Sequence, residues 1–319
     1  QFVFRRQITC DRLKIEFTEV TRDVSFGNDY TAACGELYLV RPNDLTFTDE
    51  NFIPGDNPSN RIEKILNEDS RIYVDVKVTV TLTEISSKAN DDGGAIHIEN
   101  CGLDCTTTVF NNCSSPEGAG GGIYVKNKDI HNSVNLVGLT FNECQAQFGG
   151  AVYIYSNSSE STVIIKGCIF NGNKATSSES DGLQLYGGSA IFLTVKKGKI
   201  IRNIFKDNIG DGGSVKVQNS FEQDETKINS MKLLNDNVLL ISECSFEINK
   251  NSDCGLFYLR GNNGVLVKLQ KCSFNGTLSD SSRYIDGKTI STKGSKLLVN
   301  KCKFSQDPAH AFIMKDYMS

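Results

Sequence analysis

The feature that most limits what this chain can fold into is a degenerate repeat of about 30 residues, carried by two alternating signals. One is an apolar run ending in Phe: Phe17, Phe47, Phe110, Phe141, Phe170, Phe205, Phe246, Phe274 and Phe304, with Leu82 filling the slot once. Successive spacings are 30, 35, 28, 31, 29, 35, 41, 28 and 30 residues. The other is a small-residue pair opening a short alternating strand, as in Gly93-Gly94-Ala95-Ile96-His97-Ile98, Gly121-Gly122-Ile123-Tyr124-Val125, Gly149-Gly150-Ala151-Val152-Tyr153-Ile154 and Gly212-Gly213-Ser214-Val215. Cys34-Gly35 and Cys254-Gly255 open weaker copies. A fixed period of this size is that of a solenoid, in which no unit buries its apolar face without its neighbours.

Runs such as Val134 to Phe141 and Val163 to Phe170 are β-branched and too short for ordinary helices. They recur once per repeat and are joined by loops rather than two-residue hairpins, so they stack in parallel about 4.8 Å apart. The expectation is an all-β chain, a right-handed parallel β-helix of about ten coils, on the order of 48 Å long at that spacing. Residues 1–319 read as a single solenoid, with less regular coils or a cap over 1–80 and regular repeats over 81–319. Long inserts (Ala175 to Tyr186, Ser220 to Asn237, Thr48 to Ser70) bulge from the rod. Helical periodicity surfaces only in Arg61 to Asn67, where Asn60 supplies an N-cap, and predicts one short helix there.

Net charge is −4 and no basic stripe is visible along the sequence, which argues against nucleic acid as a partner. No run is long and apolar enough for a membrane helix, and Gln1 opens no signal peptide. Eleven Cys and three sequons, at Asn112, Asn157 and Asn275, favour an extracellular or cell-surface setting with glycans on those asparagines. Cys101 and Cys105 lack a partner pair, and His97, His131 and His310 are far apart, so no metal or other cofactor is expected.

Gly93-Gly94-Ala95-Ile96 and Gly149-Gly150-Ala151-Val152, with Phe170-Asn171-Gly172-Asn173, Phe205-Lys206-Asp207-Asn208 and Phe246-Glu247-Ile248-Asn249, carry a resemblance. Over roughly residues 80–310 the chain resembles the polymorphic outer membrane protein family, whose repeats are Gly-Gly-Ala-[Ile/Leu/Val] and Phe-x-x-Asn tetrapeptides. The family occurs in chlamydial surface autotransporters, with similar repeats in surface proteins of trichomonads and other protists. The resemblance implies a β-helical, surface-displayed passenger with an adhesin-like role.

The repeated positions have separable duties. Phe is expected to stack inside the rod, and the Gly-Gly pair to free the backbone at a corner. An Asn or Cys follows Phe by three residues, at Cys113, Cys144, Asn173, Asn208 and Asn249. The Asn is suited to bonding turn backbone and to laddering between coils. A second set of Cys precedes Phe by two residues, at Cys168, Cys244, Cys272 and Cys302. These point inward as small apolar residues. Adjacent coils also bring Cys113 within reach of Cys144, and Cys244 of Cys272, so two disulfides are geometrically open.

Between the inward residues of each Gly-Gly strand one side chain faces out: Tyr38, Tyr73, His97, Tyr124, Tyr153, Phe192, Lys216 and Tyr258. Five of the ten Tyr fall in this slot, which singles it out as a platform for sugar rings or a partner protein; the competing reading is a stabilising ladder of neighbours, or one packed under a loop. Parallel β-helices also host polysaccharide lyases and hydrolases, but the adjacent acid pair in a coil's turn is Asp91-Asp92, and no polygalacturonase signature is present. The leading expectation is therefore a non-enzymatic adhesin-like rod binding glycans or cell-surface proteins. A surface coat or filament built by self-association comes second, and an enzyme third. Phe2 to Ile8 and His310 to Met314 read as further strands, so the ends are expected to be covered by more chain, another subunit or a cap.

Overall fold

The computed structural model describes residues 45–50, 61–65, 77–128, 132–156, 158, 161–177, 187–210, 213–218, 237–247, 257–260, 265–275, 285–288, 296–305 and 312–315. They lie in one compact unit, Pro42–Ser319. Among them every regular element is a β-strand, and the strands form four parallel sheets of nine, nine, eight and three strands. Here these are sheets A and B (nine each), C (eight) and D (three).

One coil shows the path. Val134–Val137 belongs to sheet A, Thr140–Asn142 to sheet C, Gln145–Phe148 to sheet D and Val152–Ser156 to sheet B. Each strand pairs with its equivalents one coil before and one coil after, as Val134–Val137 does with Gly102–Thr106 and Val163–Lys166. That is a parallel β-helix. The run read as one strand before Phe is two strands in two sheets, because Gly138 between them has φ 65° and turns the chain.

Stacking of like on like builds the core. Phe110, Phe141, Phe170, Phe205, Phe246 and Phe274 are fully buried and lie opposite one another in sheet C. Their rings stack at 4.6 to 5.0 Å, with planes within 12° of parallel. Phe304 continues the stack at 5.0 Å. Inward Ile, Val and Leu of sheets A and B close the interior.

At the start of the described coils the Phe spacing misleads. Phe47 lies in Leu45–Thr48 of sheet A, opposite Val80, so it is outside the sheet C stack. Ile85, not Leu82, stands opposite Phe110. The helix expected over Arg61 to Asn67 is also absent where described: Ile62–Ile65 is a strand paired with Ile96–Glu99. Burial of Ile62 against the next coil outweighs a short stretch's local helical preference.

Corners are made by single residues in the left-handed region. Between sheets A and C these are Thr107, Gly138, Gly167, Arg202, Glu243, Lys271 and Lys301; after the Phe strands they are Asn112, Glu143, Gly172 and Asp207. The Gly-Gly pair meets a different demand. Gly93, Gly120 and Gly149 have positive φ, while a Cβ on Gly94, Gly121 or Gly150 would sit 2.1 to 2.3 Å from a backbone oxygen of the next coil. The repeated pair is thus Gly120-Gly121, one residue earlier than the sequence pattern places it.

Two predictions follow from this packing. Phe170→Ala removes a ring between Phe141 and Phe205, and is expected to cost about 3–5 kcal/mol. Amide exchange is expected to rise first in those neighbouring coils, because solenoid coupling is nearest-neighbour; uniform loss of protection along the rod would contradict it. Gly150→Ala, which drives a Cβ into backbone of the next coil, is expected to cost much more than Gly167→Ala, where φ is positive but the space around is open. Gly167→Ala should cost only the left-handed penalty of about 1–2 kcal/mol, and denaturant midpoints of the two variants measure the difference.

Candidate functional site

The slot between the inward residues of sheet B does point away from the core. Ile96 and Ile98 belong to the core cluster and His97 between them does not; the same holds for Tyr124, Tyr153 and Phe192. Register is strict, with His97 opposite Tyr124, Tyr124 opposite Tyr153, and Tyr153 opposite Phe192. The rings form a second stack: His97 meets Tyr124 edge-on at 4.9 Å, and Tyr124, Tyr153 and Phe192 stack at 5.1 and 5.3 Å. Lys216 Nζ closes the row 5.3 Å from the Phe192 centroid.

This row is not an open platform. Tyr124 is 5% exposed, His97 7%, and Phe192 and Lys216 are fully buried, while Tyr153 is half-buried. The rings therefore stabilise the sheet through one another, each pair adding about 0.5–1.5 kcal/mol beyond area burial. Burial pushes the Tyr124 and Tyr153 phenols well above the ordinary tyrosine range, and the nearby Asp92 carboxylate adds to it. Tyr38 and Tyr73 lie outside the described residues, as does the side chain of Tyr258.

The acid pair beside this row is held by structure. Arg61 grips Asp91 at 2.5 and 3.0 Å and also reaches Glu63 at 3.0 Å. Hydrogen bonding from that guanidinium keeps the Asp91 carboxyl below its usual range. Asp92 accepts from the Ala119 amide at 2.8 Å, and its carbonyl receives Arg61 at 2.9 Å and contacts His97 Nδ1 at 3.0 Å. Phe47, Arg61, Ile62, Glu63, Ala89, Asn90 and Asp91 line a cavity of about 580 Å³. Sequence spacing gave no sign of the Arg61–Asp91 contact, since the partners are 30 residues apart.

The inward Cys and Asn of the corners share one task. Asn173 and Asn208 donate to the Phe141 and Phe170 carbonyls of the preceding coil at 3.1 and 3.0 Å. The Cys113 and Cys144 thiols aim at the equivalent Ile85 and Phe110 carbonyls. In the other column Asn203 donates to the Ile165 carbonyl at 3.0 Å, and Cys168, Cys244 and Cys272 reach Leu136, Ile200 and Ile241. Cys113, Cys144, Cys244 and Cys272 are free thiols pointed at backbone carbonyls, not disulfide-bonded to each other. Burial raises Cys168 to about 11, and hydrogen bonding from Cys244 is the main cause lifting Cys272 to about 12. Among the described residues no cluster of His, Cys, Asp or Glu could hold a metal ion. Of the sequons, Asn112 occupies a corner with φ 51° and is exposed, Asn275 is exposed at the end of Ser273–Asn275, and Asn157 lies outside the described residues.

Comparison with known proteins gives one distant match. A stretch of 117 residues, 36% of this chain, is 32% identical to the probable outer membrane protein pmp6 of Chlamydia pneumoniae. It spans 9% of that protein's length. No protein-family model and no solved structure matches the chain.

Two outcomes test the buried row and the thiol columns. Replacing Tyr124 and Tyr153 by Ser removes two packed rings, and is expected to destabilise the fold by several kcal/mol, roughly the large-to-small core range; an unchanged denaturant midpoint would contradict the packing role. Burial favours the protonated thiol of Cys168, so its contribution is complete below pH 9.0 and is lost as pH rises through about 11. Unfolding midpoints measured across that window should fall, and fall less steeply in Cys168→Ala.

Proposed function

We propose that this chain is part of a surface-displayed, non-enzymatic binding rod with an adhesin-like role. The observation that carries the reading is the combination of an in-register parallel β-helix with distant similarity to an outer membrane protein. A solenoid presents long, rigid rows of side chains whose spacing is set by backbone pairing, and extended rows suit recognition of an extended ligand. The carboxylates beside the cavity support the non-enzymatic reading: Asp91 is ion-paired and Asp92 bonds backbone, an arrangement that serves the turn rather than a proton transfer.

Displayed on a carrier cell or on beads, the chain is expected to retain host cells, glycan-coated surfaces or cell-surface proteins. Particles bearing Phe170→Ala, which disrupts the coil, should lose retention together with the fold. Failure of the folded wild-type chain to adhere to any cell or glycan surface would overturn the reading. End-to-end association in sedimentation, without adhesion, would favour the coat or filament instead.

A further inference from the structure

The outer faces of sheets A and C bring together cations that the sequence keeps about 30 residues apart. Along sheet A one outward row reads Ile164, Lys199, Leu240, Lys268 and Leu298, each directly opposite the next. Lys199 and Lys268 are thus two coils apart, about 9.6 Å at the parallel-strand spacing. Beside this row runs the sheet A to C corner. There Gln270 lies opposite Asn300, which puts Lys271 and Lys301 on successive coils. Both are exposed, and just past the corner Lys303 is exposed as well.

Carboxylates on these faces do not balance the lysines. Glu243 is engaged by Arg202 at 2.8 Å and also lies near Lys271. On the coils that carry these lysines, Asp207 and Glu247 are the other acids among the described residues, and neither forms an ion pair with them; Asp104, in the same sheet A row three coils before Lys199, is taken by Lys77. Like charges on adjacent strands cost stability, and Lys271 and Lys301 also occupy left-handed corner positions, with φ 54° and 53°. The Lys271–Lys301 juxtaposition itself therefore works against folding. Two of the large hydrophobic side chains most exposed among the described residues, Ile204 at 39% and Leu298 at 50%, sit on these same faces.

We propose that this ridge is a binding site for a linear sulfated polysaccharide, an inference that rests on the binding-rod reading above. Sulfate groups would pair with the lysines, while Leu240 and Leu298 would meet the carbon faces of the sugar rings between them. The row is linear and follows the rod axis, which matches a chain ligand. A bilayer needs a broad flat contact, whereas single-residue corners turn sheet A sharply into sheet C and leave a convex edge. Single-stranded nucleic acid needs aromatic rings for base stacking, and the sheet A row is aliphatic.

The test uses the full chain and heparin as probe, with binding read by surface plasmon resonance and by salt elution from a heparin column. Wild type should bind, and more weakly as salt rises. Lys271→Glu with Lys301→Glu should weaken binding at least tenfold with an unchanged circular dichroism spectrum. Lys88→Glu, an exposed lysine away from these faces, makes the same charge change per site and should leave binding unaltered. No heparin binding by wild type, equal loss in Lys88→Glu, undiminished binding to desulfated heparin, or tighter binding to anionic vesicles or DNA through the same lysines would each overturn the proposal. Adhesion to cells stripped of sulfated glycans separates the two readings. Retention equal to that on untreated cells sinks the sulfated ligand and leaves the adhesive rod standing; heparin binding without adhesion to any cell does the reverse.

Discussion

Backbone pairing in register, one coil upon the next, is the constraint from which the rest follows. A parallel ladder sets each residue opposite its equivalent in the neighbouring coil, at a spacing the side chains cannot alter. Whatever a position holds is therefore repeated or complemented every few ångströms along the rod. Phe meets Phe in the interior and Tyr meets Tyr on the outer side of sheet B. Lys also meets Lys at a corner, because the ladder offers no means of stepping aside.

Polar groups are met within the same rule. A corner leaves carbonyls of one coil facing the interior, and a single inward donor from the next coil satisfies them. Asn and Cys both serve, which explains why they alternate at equivalent positions in the sequence: Cys113, Cys144, Asn173 and Asn208 in one column, Cys168, Asn203, Cys244 and Cys272 in the other. The amide is the fuller replacement, since Asn173 and Asn203 also accept from the Cys144 and Cys168 amides of the preceding coil.

Much of this was legible from residues alone. The Phe period, the Gly-Gly strands and the inward Cys all named the parallel solenoid, because each reflects one coil's packing against another. Two kinds of feature were not. Local pattern failed where tertiary pairing decides, as at Ile62–Ile65, Phe47 and Ile85, where apolar residues of the first described coils fit more than one register. Lateral neighbours separated by a whole coil were also invisible. That is why no basic stripe could be seen and why Arg61 and Asp91 were not linked. The aromatic slot was read in its correct direction, yet burial of His97, Tyr124 and Phe192 is set by what packs over the face, which alternation along a strand does not report.

Every inward Asn and Cys of the two columns sends a side-chain donor to a carbonyl of the coil before it. This gives the rod a chemical polarity that its near-repeating outline conceals. A newly added coil supplies the amide or thiol that its predecessor's carbonyls lack, and leaves its own carbonyls to be met by the coil that follows. Growth from the N-terminal side thus completes each layer as the next one arrives, in the order in which a polypeptide emerges during synthesis. Growth in the opposite sense would lay down donors first, with no acceptors beneath them.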